Sequence, residues 1–302
     1  MRLVLSGMFS VGMEYANSMQ EIICCIINLR TFIAVTIINR TMIFYFSGTG
    51  NSEWAARSLA AMCNDRVFSA TEALGRSEVF CLGEDEALGF VFPVYGWAPP
   101  AIIVRLIEKL RLSAQPRYVY FVCTCGDDAG KTARLMRKAL ARRRWKRDAA
   151  FSLTMPNTYV CLSGFDVDSD ELTRRKLSAA RGRIADIARR INERWRGKDC
   201  YQGTLPWTKT YILGFLFKHL LMSPHRFEAT DSCVKCGRCV KACPLHNVLM
   251  KPNAKPVWGE NCAMCLSCYH HCPKHAIEYG RQTMMKGQYL FPEGSSDSEV
   301  SN

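Results

Sequence analysis

Acidic residues are scarce in this chain. It has 27 Asp and Glu against 40 Lys and Arg, a formal charge of +13 over 302 residues. No nucleic-acid-binding motif accompanies that excess, so nucleic acid is not an expected partner. Long unbroken apolar runs are also missing. Residues 211–222 are apolar but too short to cross a bilayer; they are expected to form a helix packed between domains, or one in peripheral contact with a membrane. Residues 22–38 are interrupted by Asn28, Arg30 and Thr31, and a central arginine is costly in lipid. The charge and cleavage pattern of an export signal is poor. No set of residues resembles a general acid, a nucleophile or a substrate pocket, so the sequence names no substrate.

Cysteine, by contrast, is abundant, with 16 in the chain. Eight fall in one stretch: Cys233, Cys236, Cys239 and Cys243 before Pro244, then Cys262, Cys265, Cys268 and Cys272 before Pro273. The second set repeats the first at a constant offset of 29 residues. Each half is C-x2-C-x2-C-x3-C-P, the spacing of bacterial two-cluster iron–sulfur proteins. A 4Fe-4S cube needs one thiolate per iron, and two-residue gaps let a tight loop wrap three of them around it. The fourth is expected from the other half, because the chain leaves each loop in the wrong direction to close its own cube. Cys233, Cys236, Cys239 and Cys272 are therefore assigned to one cube, and Cys262, Cys265, Cys268 and Cys243 to the other. Each proline, with fixed φ and no N–H, turns the chain away after the fourth ligand. Zinc is the competing metal, but paired C-x2-C zinc sites leave the third and fourth cysteines of each half without a role. Reduced thiols together with cluster ligands point to a reducing cytoplasm rather than a disulfide framework.

The remaining composition, 48% hydrophobic and 22% charged, is ordinary for globular proteins, and the length suffices for two domains. Residues 1–41 form an extension, read as an anchor or as preceding the true start at Met42. Membrane contact is otherwise expected only through them. From residue 42 strands and helices alternate. Strands are expected at 42–46, 66–70, 87–94, 117–124 and 149–155. Helices are expected at 51–62, from Pro99 to 112, from an Asp127 or Asp128 cap to about 145, and at 168–196. Five strands alternating with helices imply a doubly wound parallel α/β sheet over residues 42–198. Residues 199–229 read as a linker and 230–280 as the cluster domain. Residues 281–302, rich in Ser, Gly and acids after about 287, read as a disordered tail.

The first strand runs into Ser47, Gly48, Thr49, Gly50, Asn51 and Ser52, followed by a helix. Two glycines let backbone N–H groups approach an anion, and a helix N-terminus favours negative charge. No lysine follows the second glycine, so this is not an NTPase loop, and it does not fit G-x-G-x-x-G. A hydroxyl-rich loop of this kind suits one terminal phosphate. In a doubly wound sheet, ligands sit beyond the carboxyl ends of the strands. There, Tyr95, Gly96 and Trp97 follow strand three, and Thr124, Cys125, Gly126 and Asp127 follow strand four. Tyr95 and Trp97 offer faces to a planar ring, although Trp97 would serve equally as edge packing. Asn157 and Tyr159 are candidates for the same pocket. His219, His225, His246, His270, His271 and His275 are taken as surface groups or neighbours of the clusters.

Residues 42–200, with Phe46 leading into the 47–52 loop, resemble a flavodoxin. Residues 42–280 resemble the flavodoxin–ferredoxin fusion proteins. The resemblance implies a five-stranded flavodoxin-like α/β sheet followed by a small α+β two-cluster ferredoxin-like domain. It implies FMN, with its phosphate on residues 47–52 and its ring between the 95–97 and 124–127 loops, beside two 4Fe-4S clusters. The strand-four loop lacks the aromatic residue that flavodoxins stack on the ring, and this chain is basic where flavodoxins are acidic. The expected function is electron transfer between a flavin and the clusters, with an acidic redox protein as partner. The basic runs 134–147 and 174–198 are either solvated helix faces or its docking surface. The alternatives are a flavin-dependent reductase of a small molecule and a redox-sensing or binding protein without flavin.

Overall fold

A computed structural model describes residues 41–292. The readings of residues 1–40 as an anchor or as preceding the true start, and of 293–302 as a disordered tail, lie outside the described residues. The first domain is a parallel sheet of six strands, β1 (Thr41–Tyr45), β2 (Arg66–Ser69), β3 (Ala87–Pro93), β4 (Val119–Cys125), β5 (Ala149–Thr154) and β6 (Gly197–Asp199), in the order β2-β1-β3-β4-β5-β6. The helices α1 (Asn51–Cys63), α2 (Ala70–Gly75), α3 (Ala101–Lys109), α4 (Thr132–Ala141) and α5 (Asp170–Asn192) complete the crossovers. The central strands read as near-continuous apolar runs because both faces are covered; every residue of β4 is buried. One core lies between the sheet and α3 and α4, around Phe90, Phe121 and Leu106. The other lies beneath α1 and α5, around Leu59, Phe151 and Ile187.

Three expectations are corrected. The sheet gains a sixth strand, β6, a three-residue edge strand paired with β5; Gly-Lys-Asp carries no apolar alternation to announce it. Neither Asp127 nor Asp128 caps α4, which begins at Thr132. The Asp128 carboxylate instead accepts from Gly130 N at 3.2 Å and pairs with Lys209 Nζ at 2.5 Å. Nor are residues 288–292 a loose tail. Phe291 N donates to Thr49 O at 2.8 Å, and the Phe291 ring stacks on Trp54 at 5.3 Å. Helix α5 meets its expectation: Ser169 caps it, accepting from Leu172 N at 3.3 Å. Three of its six arginines, Arg183, Arg189 and Arg190, pair with Asp186, Glu193 and Asp199, with Arg190 to Asp199 at 2.8 Å.

Residues 206–221 form one continuous helical segment, α6, containing two π-helical turns, Lys209–Leu213 and Phe217–Leu221. The second domain follows. It has two small antiparallel pairs, β7 (Phe227–Ala229) with β10 (Ile277–Tyr279) and β8 (Val248–Leu249) with β9 (Val257–Trp258). Two short helices, α7 (Arg238–Ala242) and α8 (Ser267–His270), complete it. The 29-residue repeat extends to the backbone. Positive φ recurs at Lys235 and Met264, at Gly237 and Leu266, and at His246 and His275. The halves are therefore structural as well as sequence repeats. Among the described residues, no helix is long and apolar enough to cross a membrane.

Two glycines test this packing in opposite directions. A Cβ on Gly89, in β3, would lie 2.5 Å from the buried Tyr120 hydroxyl. Gly89→Ala is expected to cost about 1–3 kcal/mol, as overpacking does. Gly182, in the exposed middle of α5, meets nothing within 4 Å. Gly182→Ala is expected to stabilise by about 0.5–1 kcal/mol. Denaturant midpoints of the two variants should move to opposite sides of the parent.

Candidate iron–sulfur and anion sites

The eight motif cysteines line two small cavities. One is lined by Cys233, Cys236, Cys239 and Cys272. The other is lined by Cys243, Cys262, Cys265 and Cys268. Each cavity thus takes three cysteines from one loop and the fourth from the other half. Among the described residues, no group of three or more His, Cys, Asp or Glu side chains is placed to hold a single metal ion.

Local structure aims backbone and side-chain donors at the sulfurs. Asn247 N approaches Cys243 Sγ at 3.2 Å, and Ala276 N approaches Cys272 Sγ at 3.2 Å, the same contact in both halves. Met264 N reaches Cys262 Sγ at 3.3 Å, and Trp258 Nε1 reaches Cys268 Sγ at 3.4 Å. Burial pushes the Cys265 thiol up to about 12 and moves Cys239, Cys262 and Cys268 in the same direction. Buried thiolates are unfavourable without a neighbouring cation, and bound iron supplies that charge. The two quartets differ in setting. Cys236 is exposed, beside Lys235 and Arg238. Cys265 instead packs against the flavodoxin-like domain's core.

The 47–52 loop sits at the carboxyl end of β1, between β2 and β3, where the strand order reverses. Ser47 Oγ accepts from Gly50 N at 3.1 Å and tightens the turn. Ser52 and Thr124 share a 2.7 Å hydroxyl contact, and Asn51 Nδ2 donates to Pro156 O at 3.1 Å. Among the described residues, none accepts from the backbone N–H of Thr49, Asn51 or Ser52, so these amides remain available to an anion. The loop is one wall of a chamber of about 1290 Å³ between the domains. Trp54, Arg57, Arg181, Lys241, Cys243 and His271 also line it.

The loops expected to flank a flavin ring are instead covered by the chain itself. A Cβ on Gly96 would lie 3.0 Å from Phe217 Cδ1, and one on Gly130 would lie 2.7 Å from Thr210 Oγ1, both contacts from α6. The Asn157 side chain fills the space over Gly126; it is held there by Asp168, whose Oδ1 accepts from Asn157 Nδ2 at 3.2 Å. Trp97 takes the packing role: Lys209 Nζ lies 5.9 Å from its ring centre, and its carbonyl accepts from Thr210 Oγ1 at 3.4 Å. Asp127 is exposed, and Tyr159 donates to Met222 Sδ at 3.1 Å. Burial, and then the thiols of Cys265 and Cys262, push the Tyr95 hydroxyl up. A flavin in the flavodoxin pose therefore does not fit its ring site in this structure, while the phosphate loop and chamber remain open to an anion. Sequence reasoning missed Phe291 and Tyr289, the latter donating to Asn51 Oδ1 at 2.8 Å. Their only signal was aromatic residues in an otherwise polar tail.

The crossed quartets predict two separable variants. Cys243→Ser should disturb the cluster signal of the 262–268 loop and leave the other intact, and Cys272→Ser should do the reverse. Low-temperature EPR of each dithionite-reduced variant checks this; loss of the same signal in both would contradict the pairing.

Residues 228–277 match the model of the 4Fe-4S dicluster domain. The chain is 33% identical over 76 residues to a ferredoxin of Pyrobaculum islandicum, a match covering 23% of this chain and 70% of that protein. It is 24% identical over 168 residues to the epoxyqueuosine reductase of Listeria monocytogenes, covering 53% of this chain and 43% of the reductase. The chain thus spans less than half the length of that relative. Solved structures similar to it include flavoproteins of Bacteroides uniformis (16% identity, TM-score 0.30, 46% of this chain and 98% of that one) and Bacteroides eggerthii (17%, 0.28, 47% and 98%). Through its cysteine-rich domain, the chain belongs to the ferredoxins of the 4Fe-4S dicluster type.

Proposed function

We propose that this protein carries electrons, moving them one at a time through two 4Fe-4S cubes between an outside partner and a ligand held at the 47–52 loop. The observation that carries this reading is the arrangement of the two quartets. One presents Cys236 to solvent, while the other forms part of the wall of the chamber that contains the phosphate loop. Lys235, Arg238, Lys241 and Lys274 flank the cluster loops, and an acidic redox protein is the partner that such a face suits.

The ligand of this reading bears a phosphate. By resemblance it is FMN, which exchanges two electrons in single steps when bound. The free amides of Thr49, Asn51 and Ser52 and the hydroxyls of Ser47 and Thr49 would hold its phosphate. The chamber, rather than the covered loops at 95–97 and 124–127, offers space for the remainder. Arg181 and Lys241 add positive charge to the chamber wall, and Trp54 an aromatic face.

Reduction of a small molecule is the second reading. It is supported by the 168-residue match to a reductase and by a chamber large enough for a substrate beside a cluster cysteine. Anaerobic purification tests the proposal. About eight irons and about eight sulfides per chain are expected, with about one FMN released by acid extraction. Zinc-loaded, iron-free protein after anaerobic reconstitution would end the electron-carrier reading. Full iron content without any flavin would favour redox sensing.

A further inference from the structure

Helix α6 has two unlike faces. Thr210, Gly214 and Phe217, at i, i+4 and i+7, turn inward. A Cβ on Gly214 would lie 2.7 Å from Gly96 O, and the Phe217 ring lies 5.2 Å from that of Tyr159. The outward face is apolar: Trp207, Ile212, Leu213, Phe215, Leu216 and Leu220 are all exposed, Leu220 at 72%. Leu205 and Tyr201 extend the patch at its N-terminal end, at 72% and 66% exposure. Single exposed apolar residues are ordinary, but a contiguous patch of this kind marks a contact surface.

The charge around the patch selects the occupant. Between Asp199 and Glu228 the chain has no acidic residue; Lys209 is paired with Asp128 on the inner side, and the exposed Lys218 carries the helix's positive charge toward solvent. A second copy of a chain carrying +13 would be repelled at long range. An anionic lipid surface is attracted by the same charge. The exposed Trp207 suits the headgroup level, where aromatic residues with one polar edge concentrate. Sixteen residues of helix reach about 24 Å at 1.5 Å per residue, short of the ~30 Å hydrocarbon core, so the helix can lie in the interface but cannot cross it.

We propose that the outward face of α6 docks this protein onto an anionic membrane surface, with Trp207, Leu213, Leu216 and Leu220 entering the headgroup–acyl boundary. Apolar burial and electrostatic attraction act together in such binding, so both must contribute. The docked orientation would hold the ring-covering face of the same helix against the flavodoxin-like domain.

Co-sedimentation of the anaerobically purified full chain with phosphatidylglycerol vesicles and with phosphatidylcholine vesicles tests this. Binding is expected to the anionic vesicles, to be at least tenfold weaker on the zwitterionic ones, and to fall as salt is raised. Leu213→Ser combined with Leu220→Ser should reduce partitioning at least tenfold with unchanged iron content and circular dichroism. Lys218→Glu should weaken it without altering the apolar face. Because residues 1–40 are present in every variant, binding that survives the double change would overturn the proposal. So would equal binding to both lipids, or a dimer seen by light scattering that the double change dissolves.

Discussion

The carbonyl of Cys265 rests against Gly48, and much of the molecule's arrangement follows from that contact. A Cβ at position 48 would lie 2.5 Å from that oxygen, so only glycine lets the second cysteine loop approach the end of β1 so closely. The approach is to the point where the strand order reverses, the crevice in which open α/β sheets usually receive ligands. Here the crevice receives a cluster loop instead. The rest of the edge is closed in the same way, by α6 over Gly96 and by Asn157 over Gly126. The 47–52 loop keeps its hydroxyls and glycines, and its open space faces the interdomain chamber.

The second domain is fastened to the first at several independent points. His270 Nε2 meets Thr158 O at 2.8 Å, and its Nδ1 accepts from Tyr289 N at 3.1 Å. Burial holds the His270 pKa down to about 4, so the ring is neutral at physiological pH, with one nitrogen donating and the other accepting. Lys286 Nζ donates to Val160 O at 2.8 Å, and Tyr289 Oη donates to Asn51 Oδ1 at 2.8 Å. These contacts place the enclosed quartet on the chamber side and leave Cys236 outside. That polarity leaves the two cysteine quartets in unlike settings, one reaching the surface through Cys236 and one beside the chamber through Cys243.

Much of this was legible in the chain. The 29-residue offset carried the repeat and the crossed quartets, because cluster geometry depends on spacing alone. The strands were legible because their near-continuous apolar runs reflect burial on both faces. Leu266 shows where local reasoning fails: it takes the positive φ that Gly237 takes in the first half, and nothing in a leucine announces this. The 288–292 segment was mistaken for tail because its contacts with Thr49, Asn51 and Trp54 join residues more than 200 positions apart. The cover over the ring loops was invisible for the same reason. A phosphate loop in sequence says that an anion fits, not which part of the chain will stand beside it.

Hydrogen exchange measured by mass spectrometry, comparing the cluster-loaded protein with the same chain after anaerobic removal of iron, tests the central claim that the cluster domain closes the edge of the sheet. Removing the clusters should loosen residues 228–279. If the contact of Cys265 with Gly48 and of Phe291 with Gly50 governs the edge, exchange should also quicken at residues 47–53, 95–98 and 289–292. Faster exchange confined to 228–279, with the phosphate loop unchanged, would show that the two domains are adjacent without depending on each other.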